Sequence, residues 1–305
     1  MVWGIDLSMS FLYYAIKEEE NLINAYDVWF SNIDISDKCK IELLNKFSSK
    51  EIWNFSEKNF IQIGILEQNY NKILKVESKQ KLDKYIKYIE SKCIELISFK
   101  DEKYPDKLKN ICDMPPFLYV RGNLENLYSD NIAIIGSRDA SEYGKYVARK
   151  IAKQIADKNI NIVSGLAIGI DKFAHLGALD SKIGKTIAVL GTGVSEKEVY
   201  PLENKKIFDK ILENNGTIVS EFKLGTSPTR YNFPKRNRII SGLSEKIVVV
   251  EAKNKSGSLI TVEYALEQGK DVFAVPGNIT SKNSEGTNRL IQEGAFVLNN
   301  YEDVL

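Results

Sequence analysis

From Ile132 onward the chain alternates short, nearly unbroken apolar runs with longer stretches whose apolar residues recur at helical spacing. The runs are Ile132-Ala133-Ile134-Ile135, Ile160-Asn161-Ile162-Val163, Thr186-Ile187-Ala188-Val189-Leu190, Thr217-Ile218-Val219-Ser220, Ile247-Val248-Val249-Val250, Val272-Phe273-Ala274-Val275 and Phe296-Val297-Leu298. A strand with one wet face alternates apolar and polar residues. These runs do not, so they predict strands covered on both faces, as in parallel sheets. Residues 143–157, 170–181, 203–214 and 259–268 supply amphipathic crossover helices, and a doubly wound, mostly parallel α/β sheet with helices on both faces follows. Upstream, Glu95-Leu96-Ile97-Ser98-Phe99 and Phe117-Leu118-Tyr119-Val120 flank residues 104–112 and extend the sheet.

Residues 1–92 have another texture, rich in Lys, Glu, Asn and Ile, with almost no β-run after the first dozen positions. They predict a small helical domain ahead of a 93–305 domain. Lys72, Lys75, Lys79, Lys81, Lys84, Lys87 and Lys92 recur at helical spacing and suit either phosphate contacts or an ordinary solvated helix face. The 42 Lys plus Arg nearly cancel 41 Asp plus Glu, leaving a net charge of +1. A polyanionic partner would therefore have to be held by a local patch. Cys39, Cys93 and Cys112 are odd in number and far apart, without metal-ligand or disulfide spacing. No run is long enough for a membrane span and the opening residues lack a signal peptide's basic region, so a cytoplasmic protein without metal or cofactor is expected.

In an open parallel sheet, ligands bind beyond the carboxyl ends of the strands. Here those ends read Gly136-Ser137-Arg138, Ser164-Gly165-Leu166, Gly191-Thr192-Gly193, Ser220-Glu221, Glu251-Ala252-Lys253 and Pro276-Gly277-Asn278. Gly136, Ser137 and Arg138 sit between a strand and a helix, where amides, a hydroxyl and a guanidinium can converge on a phosphate. Between Phe222 and Ser244 stand Lys223, Arg230, Lys235, Arg236 and Arg238 with no acid, and Tyr231 and Phe233 among them. Cations interleaved with aromatic rings suit unstacked bases on a phosphate backbone, although the rings could equally be core plugs under a loop. Ser256, Gly257 and Ser258 offer a second anion nest, or Ser258 caps a helix starting at Leu259.

Enzymatic readings find less support. Gly191-Thr192-Gly193 lacks the third glycine of a dinucleotide fingerprint, and Gly184-Lys185-Thr186 leads into a strand where a Walker motif needs a helix. His175 is the only histidine and stands mid-helix, where a packed role is favoured over a general base. Asp171, Glu221, Glu251 and Glu263 could act as paired acids or simply hold the arginines.

The blocks Gly136-Ser137-Arg138; Ser164-Gly165-Leu166-Ala167 with Gly169-Ile170-Asp171; Asn232-Phe233-Pro234-Lys235-Arg236-Asn237-Arg238-Ile239-Ile240-Ser241-Gly242-Leu243; and Ser256-Gly257-Ser258-Leu259-Ile260-Thr261, in this order, closely resemble the DprA/Smf (DNA-processing protein A) family. The resemblance spans roughly residues 95–297. It implies an extended Rossmann-like domain that binds single-stranded DNA, forms a homodimer and helps load RecA recombinase during natural transformation. It places the DNA pocket at Gly136, Ser137, Arg138 and the region from Arg230 to Arg238 with Phe233; together with the strand-end residues, the expected DNA-binding set is Gly136, Ser137, Arg138, Ser164, Gly165, Arg230, Phe233, Lys235, Arg236, Asn237, Arg238, Ser256, Gly257 and Ser258, with no catalytic residue. The chain departs from the family in three places. The Gly-x-Gly hairpin of the helical domain is replaced by Asn32-Ile33-Asp34-Ile35-Ser36-Asp37, Ile168 stands where a Lys is usual, and no winged-helix domain is expected after Leu305. Two alternatives stay open: a phosphoribohydrolase-like enzyme, whose glycine-rich cradle is missing from residues 255–263, and a partner-binding scaffold dimerising through Leu290-Ile291.

Overall fold

The computed structural model describes residues 23–75 and 79–305; the first twenty-two residues and the Lys79 side chain lie outside the described part. Nine strands, β1 (Ile94–Ser98), β2 (Phe117–Gly122), β3 (Asn131–Ile135), β4 (Asn161–Ser164), β5 (Thr186–Val189), β6 (Thr217–Ser220), β7 (Lys246–Val249), β8 (Asp271–Ala274) and β9 (Phe296–Val297), form one sheet. Their order is β1-β2-β6-β5-β4-β3-β7-β8-β9. Only the pairings of β2, with β1 and with β6, are antiparallel. Each strand falls within two residues of an apolar run, because β3 to β6 are buried on both faces as such runs require.

The helices are α1 (Ala25–Asn32), α2 (Asp37–Lys46), α3 (Ser49–Trp53), α4 (Glu57–Gln62), α5 (Glu67–Leu74), α6 (Lys79–Ser91), α7 (Asp106–Lys109), α8 (Glu142–Ala156), α9 (Ile170–Leu179), α10 (Lys205–Glu213), α11 (Asn232–Gly242), α12 (Ser258–Glu267) and α13 (Glu285–Gln292). Alternate strand residues face opposite layers. Ala133 and Ile135 pack with Ile239, Ile240, Val262 and Leu290 from α11, α12 and α13, whereas Ile132 and Ile134 pack with Ala148, Ile155 and Ala174 from α8 and α9. Leu290 is thus buried in the chain's own core with the partly buried Ile291 packed beside it, so Leu290 is not free to form the dimer surface suggested by its apolar character. Among the described residues no helix is long and apolar enough to cross a membrane.

The helices before β1 have their own core around Phe30, Leu43, Ile52, Phe60 and Ile73, and Val28, Ile86 and Ile89 reach the sheet beside α10. The segment that replaces the expected hairpin turns toward the sheet, and the Lys223 ammonium donates to the Asn32 carbonyl at 2.9 Å.

The helix across the cationic segment was not visible in the pattern. Residues 222–244 read as a basic patch with aromatic rings, yet Asn232–Gly242 is α11. Pro234 is tolerated because it occupies the first turn, where a backbone N–H has no intrahelical partner.

Candidate nucleic-acid interface

The chain winds from β3 through β4 and β5 to β6, then returns to place β7 on the other side of β3. Loops after β3, β4 and β7 diverge at this reversal, which is where open sheets hold ligands. A groove of about 410 Å³ opens there, lined by Gly136, Ser137 and Arg138 after β3, Asp171 at the start of α9, and Lys253, Ser256, Gly257 and Ser258 after β7. Arg230, Phe233, Arg236 and Asn237 form part of its opposite wall.

At Gly136 a Cβ would lie 2.7 Å from Ile170 Cγ1 and 2.8 Å from the Glu251 carbonyl, so glycine lets this turn press against the start of α9 and the segment after β7. Ser137 is buried; its amide donates to the Glu251 carbonyl at 2.7 Å and its hydroxyl accepts from the Asp139 amide at 3.1 Å. Arg138 is exposed and lies over the Phe233 ring, 5.5 Å from its centroid.

Phe233, Arg236, Asn237 and Ile240 follow i, i+3, i+4, i+7 and form the groove face of α11. Arg236 is 3% exposed and donates to the carbonyls of Gly165, at 2.9 Å, and Val189. Burial pushes its pKa down to about 10, with Asp171 opposing the shift and Arg138 adding to it. Burial also raises the Asp171 carboxyl, while Arg236 and Arg138 pull it back. The two arginines therefore share one groove and one buried acid. At Gly165 a Cβ would fall 2.5 Å from Arg236 Nη2, so that glycine makes room for the guanidinium.

Helical geometry separates the remaining candidates. Arg238, two positions beyond Arg236, lies on the opposite face, 1% exposed, with both Nη atoms on Glu221 at 2.6 and 2.8 Å and Nε on the Asp113 carbonyl at 2.8 Å. Lys235 bonds Asp37 at 2.7 Å and Glu221 at 2.8 Å. Neither lines the groove. Ser164 is also away from it: fully buried, its hydroxyl donates to the Ile134 carbonyl at 2.7 Å. Lys235, Arg238 and Ser164 leave the groove because their side chains are directed into the scaffold, and Gly165 does not line it either but makes room for Arg236 behind it.

α12 starts at Ser258, one residue before the expected Leu259, and its N-cap is Gly257 without a side-chain cap bond. The Ser256 and Ser258 hydroxyls bond each other at 2.7 Å. The first turn thus faces the groove with its amide end, which favours an anion. Tyr231 is 69% exposed and Phe233 half-buried, so neither is a core plug. Phe233 packs on Tyr200, with ring centroids 5.6 Å apart, and against Gly191, where a Cβ would lie 2.8 Å from the ring. The Gly-Thr-Gly segment accommodates an aromatic side chain of the same protein. That constraint, and the groove positions of Asp171 and Lys253, were missed as part of the site, although Lys253 stands in the segment that follows β7, the signal used for the others.

His175 is fully buried and bonded to the Thr186 hydroxyl at 2.7 Å, and its Nε2 accepts from the Leu166 amide at 3.3 Å. Burial, with Arg236 nearby, pushes its pKa down to about 3, so the ring is a neutral packing element. Glu251 accepts from the Ser141 amide at 2.9 Å and Glu221 holds Arg238 and Lys235. Among the described residues no group of three or more His, Cys, Asp or Glu is arranged to hold a metal.

A family model described as DNA recombination-mediator protein A matches residues 95–305. Protein Smf of Escherichia coli is 45% identical over 210 residues, covering 69% of this chain and 55% of that protein. DNA processing protein DprA of Streptococcus pneumoniae is 45% identical over 208 residues, 68% of this chain and 72% of that protein. Its X-ray structure superposes with a TM-score of 0.78 at 34% identity, covering 93% of this chain and 97% of that one. A structure of DNA processing protein A from Helicobacter pylori, solved to describe its single-stranded DNA binding mode, gives a TM-score of 0.61 at 29% identity over 68% of this chain and 93% of that one. A match over two thirds of the sequence, carried through the strand-end loops that build the groove, establishes that the chain belongs to the DNA recombination-mediator protein A family, the DprA/Smf proteins.

Proposed function

We propose that the groove grips single-stranded DNA, and that the chain acts by binding: it shields incoming strands and passes them to RecA recombinase, without catalysing a reaction. The observation that carries this reading is the convergence of Arg138 and Arg230, the face of Phe233 and the amino end of α12 on one open groove. Cations neutralise phosphates, a ring takes an unstacked base, and backbone amides donate to an anion without reading a sequence. The Helicobacter pylori relative, whose single-stranded DNA binding mode is described, supports this assignment. In the same reading residues 93–305 form the DNA-binding domain and residues 1–92 a helical one, and the protein works as a cytoplasmic homodimer.

Titration of labelled poly-dT and of a duplex oligonucleotide across a salt series tests the proposal. Binding to the single strand should weaken linearly on a logarithmic salt scale, by about 0.7 per phosphate contacted. Affinity indifferent to salt, or a preference for the duplex, would overturn it.

A further inference from the structure

We propose that the N-terminal helices position the groove without touching DNA. Asp37 acts through Lys235, and Asn32 and Tyr85 through Lys223 and Leu224, to fix the segment that carries Arg230 and Phe233. This rests on the reading of the groove as a single-strand site.

Between β6 and α11 the backbone runs exposed from Gly225 to Tyr231 except at Thr226, which is half-buried. Such a segment has few contacts of its own and would sample many conformations unless tied down. It is tied at both ends by the helical layer. At its start the Leu224 amide donates to the Tyr85 hydroxyl at 2.9 Å, and Lys223 Nζ to the Asn32 carbonyl at 2.9 Å. At its far end Lys235 Nζ reaches Asp37 Oδ2 at 2.7 Å, across 198 positions of sequence. Asp37 is the first residue of α2, which Ser36 caps, so the carboxylate is held on a fixed element. Lys235 and Arg238 both meet Glu221, whose side chain is 4% exposed; the rear face of α11 is thereby fastened to the sheet and to the helical layer together. A groove wall fixed in advance binds more tightly than one that must order on binding. Lys235, charged and conspicuous in the sequence, is on this account a positioning residue.

The sign of one substitution tests the idea. Removing an acid near a polyanion site strengthens binding by simple Coulomb attraction. Asp37→Asn should instead weaken it if the acid's task is to hold Lys235. Lys235 would keep Glu221 as partner, so the fold is not at stake. With full-length protein and labelled oligo-dT, Asp37→Asn should weaken binding by about fivefold, as loss of a half-exposed ion pair permits. The salt slope should stay at the wild-type value, amide hydrogen exchange should quicken over residues 225–235, and Asp37→Glu should restore much of the affinity. Equal or tighter binding by Asp37→Asn, a changed salt slope, or a loss explained by a general fall in thermal stability would overturn the proposal. If Arg138→Ala abolishes binding while Asp37→Asn does not weaken it, only this inference fails. If the wild type shows no salt-dependent binding to oligo-dT, the single-strand reading fails and takes this inference with it.

Discussion

The Arg138 guanidinium lies over the Phe233 ring, 5.5 Å from its centroid, so the end of β3 and the first turn of α11 meet across the groove. Among the described residues Arg138 makes no ion pair, which leaves its donors free for a phosphate. Arg138→Ala should therefore weaken oligo-dT binding by about tenfold or more and flatten the salt slope by about 0.7, the signature of one lost charge-assisted phosphate contact. Fluorescence anisotropy over a salt series measures both.

Phe233 should behave differently. Phe233→Ala removes a stacking face at a cost of about 1–3 kcal/mol and leaves the salt slope unchanged, because no phosphate contact is lost. Gly191→Ala should act in the same direction, since its Cβ would lie 2.8 Å from the ring and displace it. The same titration separates these variants from Arg138→Ala.

Arg238→Ala should reduce stability more than it reduces binding. The substitution removes two charge-assisted hydrogen bonds from the buried Glu221 and leaves it Lys235 alone, a loss of about 1.5–3 kcal/mol. Urea unfolding should show the loss, whereas Arg138→Ala, at an exposed position, should unfold almost as wild type.

Two buried groups give opposing pH dependences. Burial, with Arg236 nearby, holds the His175 pKa down at about 3, against an ordinary value of 6.5. The unfolded chain takes up that proton first, so this group removes stability as pH falls from 6.5 toward 3, by about 1.4 kcal/mol per pH unit. Burial pushes Asp27 up from 3.8 to about 6, partly countered by its bond from Ser49. Here the folded state holds the extra proton, so stability falls as pH rises through that interval. His175→Asn should therefore lose less stability than wild type between pH 7 and pH 5, by about 2 kcal/mol, and Asp27→Asn should steepen the acid loss; urea unfolding at the two pH values tests both.

The central strands could be read from sequence because burial on both faces left β3 to β6 as runs almost free of polar residues, whereas β9, exposed at Phe296 and Val297, was legible only as a short apolar run. Much of the groove could be read too, since Gly136, Ser137, Arg138 and Ser256 to Ser258 stand just after strands. What could not be read was direction. Asn232-Phe233-Pro234-Lys235-Arg236-Asn237-Arg238 has little apolar periodicity and a proline, so its cations looked like one patch. Folded as α11, they divide between Arg236 at the groove and Lys235 and Arg238 behind it. Ser164 shows the same ambiguity at smaller scale, because a hydroxyl at a strand end can serve a ligand or its neighbour's carbonyl, and here it serves Ile134.

The division of α11 into a groove side and an anchoring side makes the two stretches of chain unequal in what they can absorb. A residue added among positions 225–230 lengthens an exposed connection and leaves everything downstream in register. One added after Phe233 would turn the rest of the helix by about 100°, carrying Arg236 off its two carbonyls and Arg238 off Glu221 in a single step. Length variation among relatives should accordingly gather before Asn232 and stop there.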